Sequence, residues 1–108
     1  MNSSELLKHY EAIWRLTQKM MEAANKEEWD NLVELVRERA TLTEELLKQD
    51  NAAIWGGNDL VQKAQFIRMT LAADEEIKAL TEAWMVELQA MLASLGTEKK
   101  LQQTYEAP

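Results

Sequence analysis

The side chains able to do chemistry are few, and their spacing assembles no reaction centre. His9 is the only histidine, with Glu5 and Lys8 as its helical neighbours. The Glu-x-x-His pair of metal-binding bundles needs a carboxylate three residues before the imidazole, and position 6 is leucine. His9 therefore reads as a surface residue. A site built from carboxylates alone would need several acids facing inward. Asp74 is the one acid that interrupts an apolar stripe, and a near-surface position beside Lys78 is expected for it. A small helical enzyme that clamps a dicarboxylate needs several inward arginines. Here Arg15, Arg37, Arg39 and Arg68 are the full set, and all fall beside or opposite the apolar stripes. There is no cysteine, which removes disulfides and thiolate chemistry together, and no phosphate loop or serine elbow. No catalytic, cofactor-binding or metal-binding residue is expected, and the chain does not read as an enzyme.

What the elements must position is then a surface. Hydrophobic residues make up 46% of the 108, enough for one domain with a modest core. Three glycines and a single proline, at the very end, point to long helices and few turns. A net charge of −7 disfavours nucleic acid and anionic membranes, whose phosphates attract lysine and arginine. No apolar run is long enough to span a bilayer, and Met1-Asn2-Ser3-Ser4-Glu5 lacks the basic and apolar regions of a signal peptide. The expected location is the cytosol.

The expected fold is all-α, a single domain over 1–108. It is an antiparallel bundle of three main helices, about 4–24, 26–48 and 58–95, plus a short C-terminal helix within 97–108. Leu6, Tyr10, Ile13, Thr17, Met20 and Ala24 form the stripe of the first helix, with Asn2 or Ser3 as its cap and Glu5 completing a capping box. Asn25 is expected to end that helix and cap the second, whose stripe reads Trp29, Leu32, Val33, Val36, Ala40, Thr43, Leu46 and Leu47. So short a connection makes an antiparallel hairpin. Residues 49–57 form the one substantial loop, with Ile54 and Trp55 folding back over the bundle end. Asn58 or Asp59 is expected to cap the third helix and Gly96 to stop it.

The third helix is too long for its neighbours. Its apolar residues are Leu60, Ala64, Ile67 and Leu71, then Ile77, Leu80, Trp84, Leu88, Met91 and Leu95, with the stripe broken at Asp74. It would reach roughly 55 Å, against roughly 33 Å for each of the other two. By about Leu80 it outruns them, which leaves Trp84, Met85, Leu88, Met91, Leu92 and Leu95 on an overhang. An uncovered row of such side chains marks an interaction site. Met20 and Met21 read as core, whereas Met85 and Met91 suit either a core or an adaptable groove.

Two stretches carry a resemblance to a known family. One is Glu28-Trp29-Asp30 followed by Leu32 and Val33. The other is Phe66-Ile67-Arg68-Met69-Thr70-Leu71, continuing through Ile77-Lys78-Ala79-Leu80 to Glu87-Leu88. With the tail string from Lys99 to Tyr105, they resemble the flagellar export chaperones of the FliT type over most of the chain from Ala24 onward. The resemblance implies a cytosolic helical chaperone that holds the C-terminal segment of the filament-cap protein FliD and delivers it to the export gate. It also implies binding of the FlhC subunit of the flagellar master regulator, as a repressor with no DNA contact of its own. The partner segment is expected to lie as a helix along Leu80, Trp84, Met85, Leu88, Met91, Leu92 and Leu95, with Glu82 and Glu87 setting its orientation. In the family the last helix can lie back on helix three. Here it is expected to be short and its grip weak, with Leu101 and Tyr105 covering part of the overhang. The rival reading is a generic helical adaptor that uses the same overhang to form a homodimer.

Overall fold

The structure is a computed structural model that describes residues 2–50 and 55–106, with side chains described as far as residue 94. Three helices account for it: α1 (Ser3–Asn25), α2 (Trp29–Asp50) and α3 (Gly57–Glu106). The all-α, three-helix expectation holds.

Helix α1 begins where its cap allows. The Asn2 side chain accepts a hydrogen bond from the Glu5 amide at 2.9 Å, which satisfies one of the free donors of the first turn. The predicted stripe of α1 is buried throughout, from Leu6 and Tyr10 to Met20 and Ala24. This helix is the centre of the molecule and packs directly against both others. Among the described residues, α2 and α3 keep their Cα traces more than 8 Å apart and meet only through long side chains.

The turn between α1 and α2 differs from expectation. Lys26 closes α1, and Glu27 takes a left-handed conformation with φ 59°. The Glu27 amide donates to the Ala24 carbonyl at 3.2 Å and the Glu28 amide to the Ala23 carbonyl at 2.8 Å. That pair of bonds is a Schellman closure, in which the left-handed position is usually glycine. Asn25 donates its side chain back to the Met21 carbonyl at 3.1 Å instead of capping α2. The first helix thus uses its own last carbonyls to stop itself, and α2 starts afresh at Trp29.

Helix α3 starts at Gly57, one residue before the expected bound and ahead of both expected caps. The Leu60 amide donates to the Gly56 carbonyl at 2.9 Å, while Asp59 accepts from the Ser3 hydroxyl at 2.9 Å and so ties α3 to the start of α1. At its other end α3 does not stop. It runs without interruption through Gly96 to Glu106, 50 residues in all, so the expected separate helix within 97–108 is instead the last turns of α3. One glycine inside a helix costs about 1 kcal/mol, too little to break a helix whose flanks favour it. The long dimension of the molecule, 78 Å, is about the length of this one helix.

The core divides along the bundle. Leu6, Tyr10, Ile13 and Leu46 form one cluster, against which Trp55 and Phe66 pack. Leu16, Met20, Ala23, Ala24, Leu32, Leu35 and Ile77 form the other, with Trp29 and Leu80 at its edge. Trp55 does fold back over the bundle end as expected, whereas Ile54 lies outside the described residues.

The apolar stripe of α3 is in fact two stripes. The step of six residues from Leu71 to Ile77 leaves the helix turned by about 240°. Ala73 and Ile77 are buried and Phe66 packs on the core, but Leu60, Ile67 and Leu71 are exposed. The expectation that Leu60 to Leu71 belongs to the core is therefore corrected. On α2, likewise, Leu32, Leu35 and Leu46 are inside while Val33, Val36 and Leu47 are exposed. A helix with only one close neighbour has a narrow inward arc, so part of a wide stripe is left outside.

Candidate partner-binding surface

The outer residues of α2 and α3 share one face. On α3 the exposed stripe adjoins Lys63 and Asp74, the side chains that reach toward α2; on α2 it adjoins Arg39, which reaches toward α3. Successive helical positions turn by about 100°, which puts both stripes beside the α2–α3 seam on the side away from α1. Two polar ties cross this seam. Near its middle, Arg39 Nη1 donates to Asp74 Oδ1 at 2.7 Å and to the Thr17 hydroxyl at 3.0 Å, and Thr17 itself donates to the Ile13 carbonyl at 2.8 Å. Asp74 therefore pairs across helices with Arg39, not with Lys78 one turn along.

At the loop end, Asp50 accepts from the Tyr10 hydroxyl at 2.6 Å, the Trp55 indole nitrogen at 2.6 Å and the Lys63 ammonium at 2.7 Å. Lys63 also stands 4.6 Å from the Trp55 ring centre and 5.4 Å from that of Tyr10. Burial works to raise the Asp50 carboxyl, but the three donors together outweigh it and hold the group below its ordinary range. Burial first, and then the bond to Asp50, push the Tyr10 phenol well above its usual range.

The predicted binding residues fall into three settings. Leu80 is half-buried and packs on the core. Trp84 is half-buried as well, its ring 4.8 Å from that of Trp29 and tilted by 40°. Past Trp84, every described side chain of α3 except Leu88 is exposed, including Met85, Val86, Met91 and Leu92. The helix that follows Trp84, residues 85–106, extends about 33 Å. The side chains of Leu95, Leu101 and Tyr105 lie outside the described residues; their backbone continues α3. The overhang thus begins at Met85, one residue later than helix length implied, because Trp29 reaches out to cover Trp84.

Sequence reasoning missed two features. One is the Trp29–Trp84 contact, which forms an open cleft with Glu27, Glu28, Asp30 and Asn31 around it. The only signal for it was a tryptophan at the start of α2 and another near the end of the inward stripe of α3. The other is the outer apolar face, whose residues had been assigned to the core.

Nothing in the described residues resembles a reaction centre. The cavity beside His9, lined also by Leu42, Glu45, Leu46 and Gln49, holds about 30 Å³, room for about one water. No three His, Asp or Glu groups converge as metal ligands among the described residues. Arg15 pairs with Glu11 at 2.7 Å and Arg37 with Glu34 at 3.5 Å, both on the wet side of their own helices. None of the described helices is long and apolar enough to cross a membrane.

The chain is similar to known flagellar proteins. The family model described as flagellar protein FliT matches residues 7–107. A curated relative, the flagellar protein FliT of Cronobacter sakazakii (strain ATCC BAA-894), is 27% identical over 101 residues, which cover 92% of this chain and 82% of the relative. No solved structure matches the chain.

Proposed function

The chain belongs to the FliT family of flagellar proteins, and from that premise we propose that it is a cytosolic export chaperone. Its cargo is the C-terminal segment of the filament-cap protein FliD, held as an amphipathic helix along α3 and delivered to the export gate. Sequestration of FlhC, which keeps the master regulator from its DNA, uses the same kind of contact and needs no nucleic-acid surface. The observation that carries the reading is the overhang. Residues 85–106 continue α3 beyond the bundle, and Met85, Met91 and Leu92 stand exposed where no other described helix reaches them.

Buried, such side chains contribute about 1.5–3 kcal/mol each, so a few of them suffice to hold a helical segment. Leu80 and Trp84 fix the root of the surface, Leu88 and Met91 continue the inward stripe, and Met85 and Leu92 continue the outer one. Leu95, one turn past Met91, extends the inward stripe further. Methionine suits a site that accepts more than one partner, because its flexible thioether repacks readily.

Leu88→Asp and Met91→Asp test the reading. Capture of the FliD C-terminal segment is lost in both variants while the circular dichroism spectrum keeps its helical content. Normal capture by both would remove the overhang as the site.

A further inference from the structure

The bundle has an aromatic-and-carboxylate cluster at each end, and only one of them contains its cation. At the loop end, Tyr10 and Trp55 meet edge to face with centroids 5.9 Å apart, Asp50 stands beside them, and Lys63 fills the space against both rings. At the opposite end, Trp29 and Trp84 lie 4.8 Å apart and wall an open cleft with Glu27, Glu28 and Asp30. Among the described residues no lysine or arginine enters that cleft. Lys26 is near enough to Glu28 to feel its charge, yet its ammonium pairs with Glu22 at 2.8 Å.

We propose that the open cleft beside the Trp29–Trp84 pair is a socket for a basic side chain, arginine above all, carried by the protein segment that docks on α3. This rests on the docking reading above and names the chemistry of its partner. Two observations meet here. The cleft has about 530 Å³ of open space, ample for a guanidinium group. Two half-buried indoles stand at its wall, and the three carboxylates around them have no ion-pair partner among the described residues.

Position adds to the chemistry. Trp84 is where α3 leaves the bundle, so a helix lying on Leu88 and Met91 passes the mouth of the cleft. Arginine fits better than lysine because its planar fork stacks on an indole while binding a carboxylate with two parallel hydrogen bonds. The apolar overhang supplies affinity; a charged socket at its root fixes which way round the segment lies.

The direct test follows the four indole resonances by nuclear magnetic resonance while Nα-acetyl-arginine amide is added to the full chain. The neutral Nα-acetyl-citrulline amide serves as control. Trp29 and Trp84 move saturably with arginine and little with citrulline, and Trp14 and Trp55 stay still. Equal shifts with both compounds, or none with either, overturn the socket. A Glu28→Gln, Asp30→Asn double variant, confirmed as folded by circular dichroism, weakens the arginine response.

A second arm uses the FliD C-terminal segment with its basic residues replaced singly by glutamine. One replacement lowers affinity by about fivefold to tenfold in the native chain and has no effect in the double variant. If the segment binds but no replacement matters, the socket is wrong and the overhang reading stands. If the segment fails to bind while arginine amide still moves Trp29 and Trp84, the cargo assignment is wrong and the socket stands. Indole shifts that instead track protein concentration would overturn the proposal in favour of a second copy of the chain.

Discussion

Arg39 on α2 and Asp74 on α3 are 2.7 Å apart, with side chains 20% and 34% exposed, and the same guanidinium nitrogen donates to the fully buried Thr17 on α1. Three helices are thus joined through one nitrogen atom. Because α2 and α3 have no close backbone approach, this tie adds to the few side-chain contacts between them, such as Trp29 on Trp84. Asp74→Ala is expected to cost about 1–2 kcal/mol, more than an exposed pair, because Arg39 is left without its carboxylate in a partly buried setting. In a double-mutant cycle by urea unfolding, Asp74→Ala and Arg39→Leu should couple by more than about 0.5 kcal/mol. Additive effects would mean that the pair is ornamental.

The two stripes of α3 separate by substitution. Ile77 is 7% exposed and Leu71 is 60% exposed. Ile77→Ala should destabilise by about 2–4 kcal/mol, whereas Leu71→Ala should stay within about 0.5 kcal/mol. Comparable losses at both positions would put Leu71 in the core and dismiss the outer face.

Stability should fall at both ends of the pH range, through one knot of side chains. The Asp50 pKa is lower in the folded chain than its ordinary 3.8, so its contribution is present above that value and is lost as pH falls below about 4. The Tyr10 pKa is higher than its ordinary 10.0, so its contribution is complete below pH 10 and is lost as pH rises beyond it. Asp50→Asn should flatten the acid limb and Tyr10→Phe the alkaline limb of unfolding free energy against pH. If neither variant changes its limb, other groups govern the profile.

Glu27 is a non-glycine residue at φ 59° in the closure of α1. Glu27→Gly should raise stability by about 0.5–1 kcal/mol, since relief of the left-handed strain outweighs the added freedom of the unfolded chain. Thermal unfolding decides it, and a lower midpoint would show that the Glu27 carboxylate matters more than its backbone.

The order of residues is enough to establish that the chain is helical, that the first two helices form a hairpin and that the third outruns them. Each follows from local periodicity and chain length. The stripe of α1 from Leu6 to Ala24 was legible because both neighbours press on it, and that double contact also buries Leu16 and Ala23 beside it. The structure alone decided which stripe of α3 faces inward. Leu60–Leu71 and Ile77–Leu88 have the same local spacing, and only the packing of α1 against Phe66, Ala73 and Ile77 distinguishes them. The stop of α1 was equally hidden, since its left-handed position carries glutamate where glycine would have announced it. Part of the surface was legible: Met85, Met91 and Leu92 are exposed beyond the bundle, as helix length implied. Trp84 was not, because whether its ring is bare depends on Trp29, 55 residues earlier in the chain and 4.8 Å away in the fold. Local spacing sets the faces a helix has; only its neighbours settle which of them water sees.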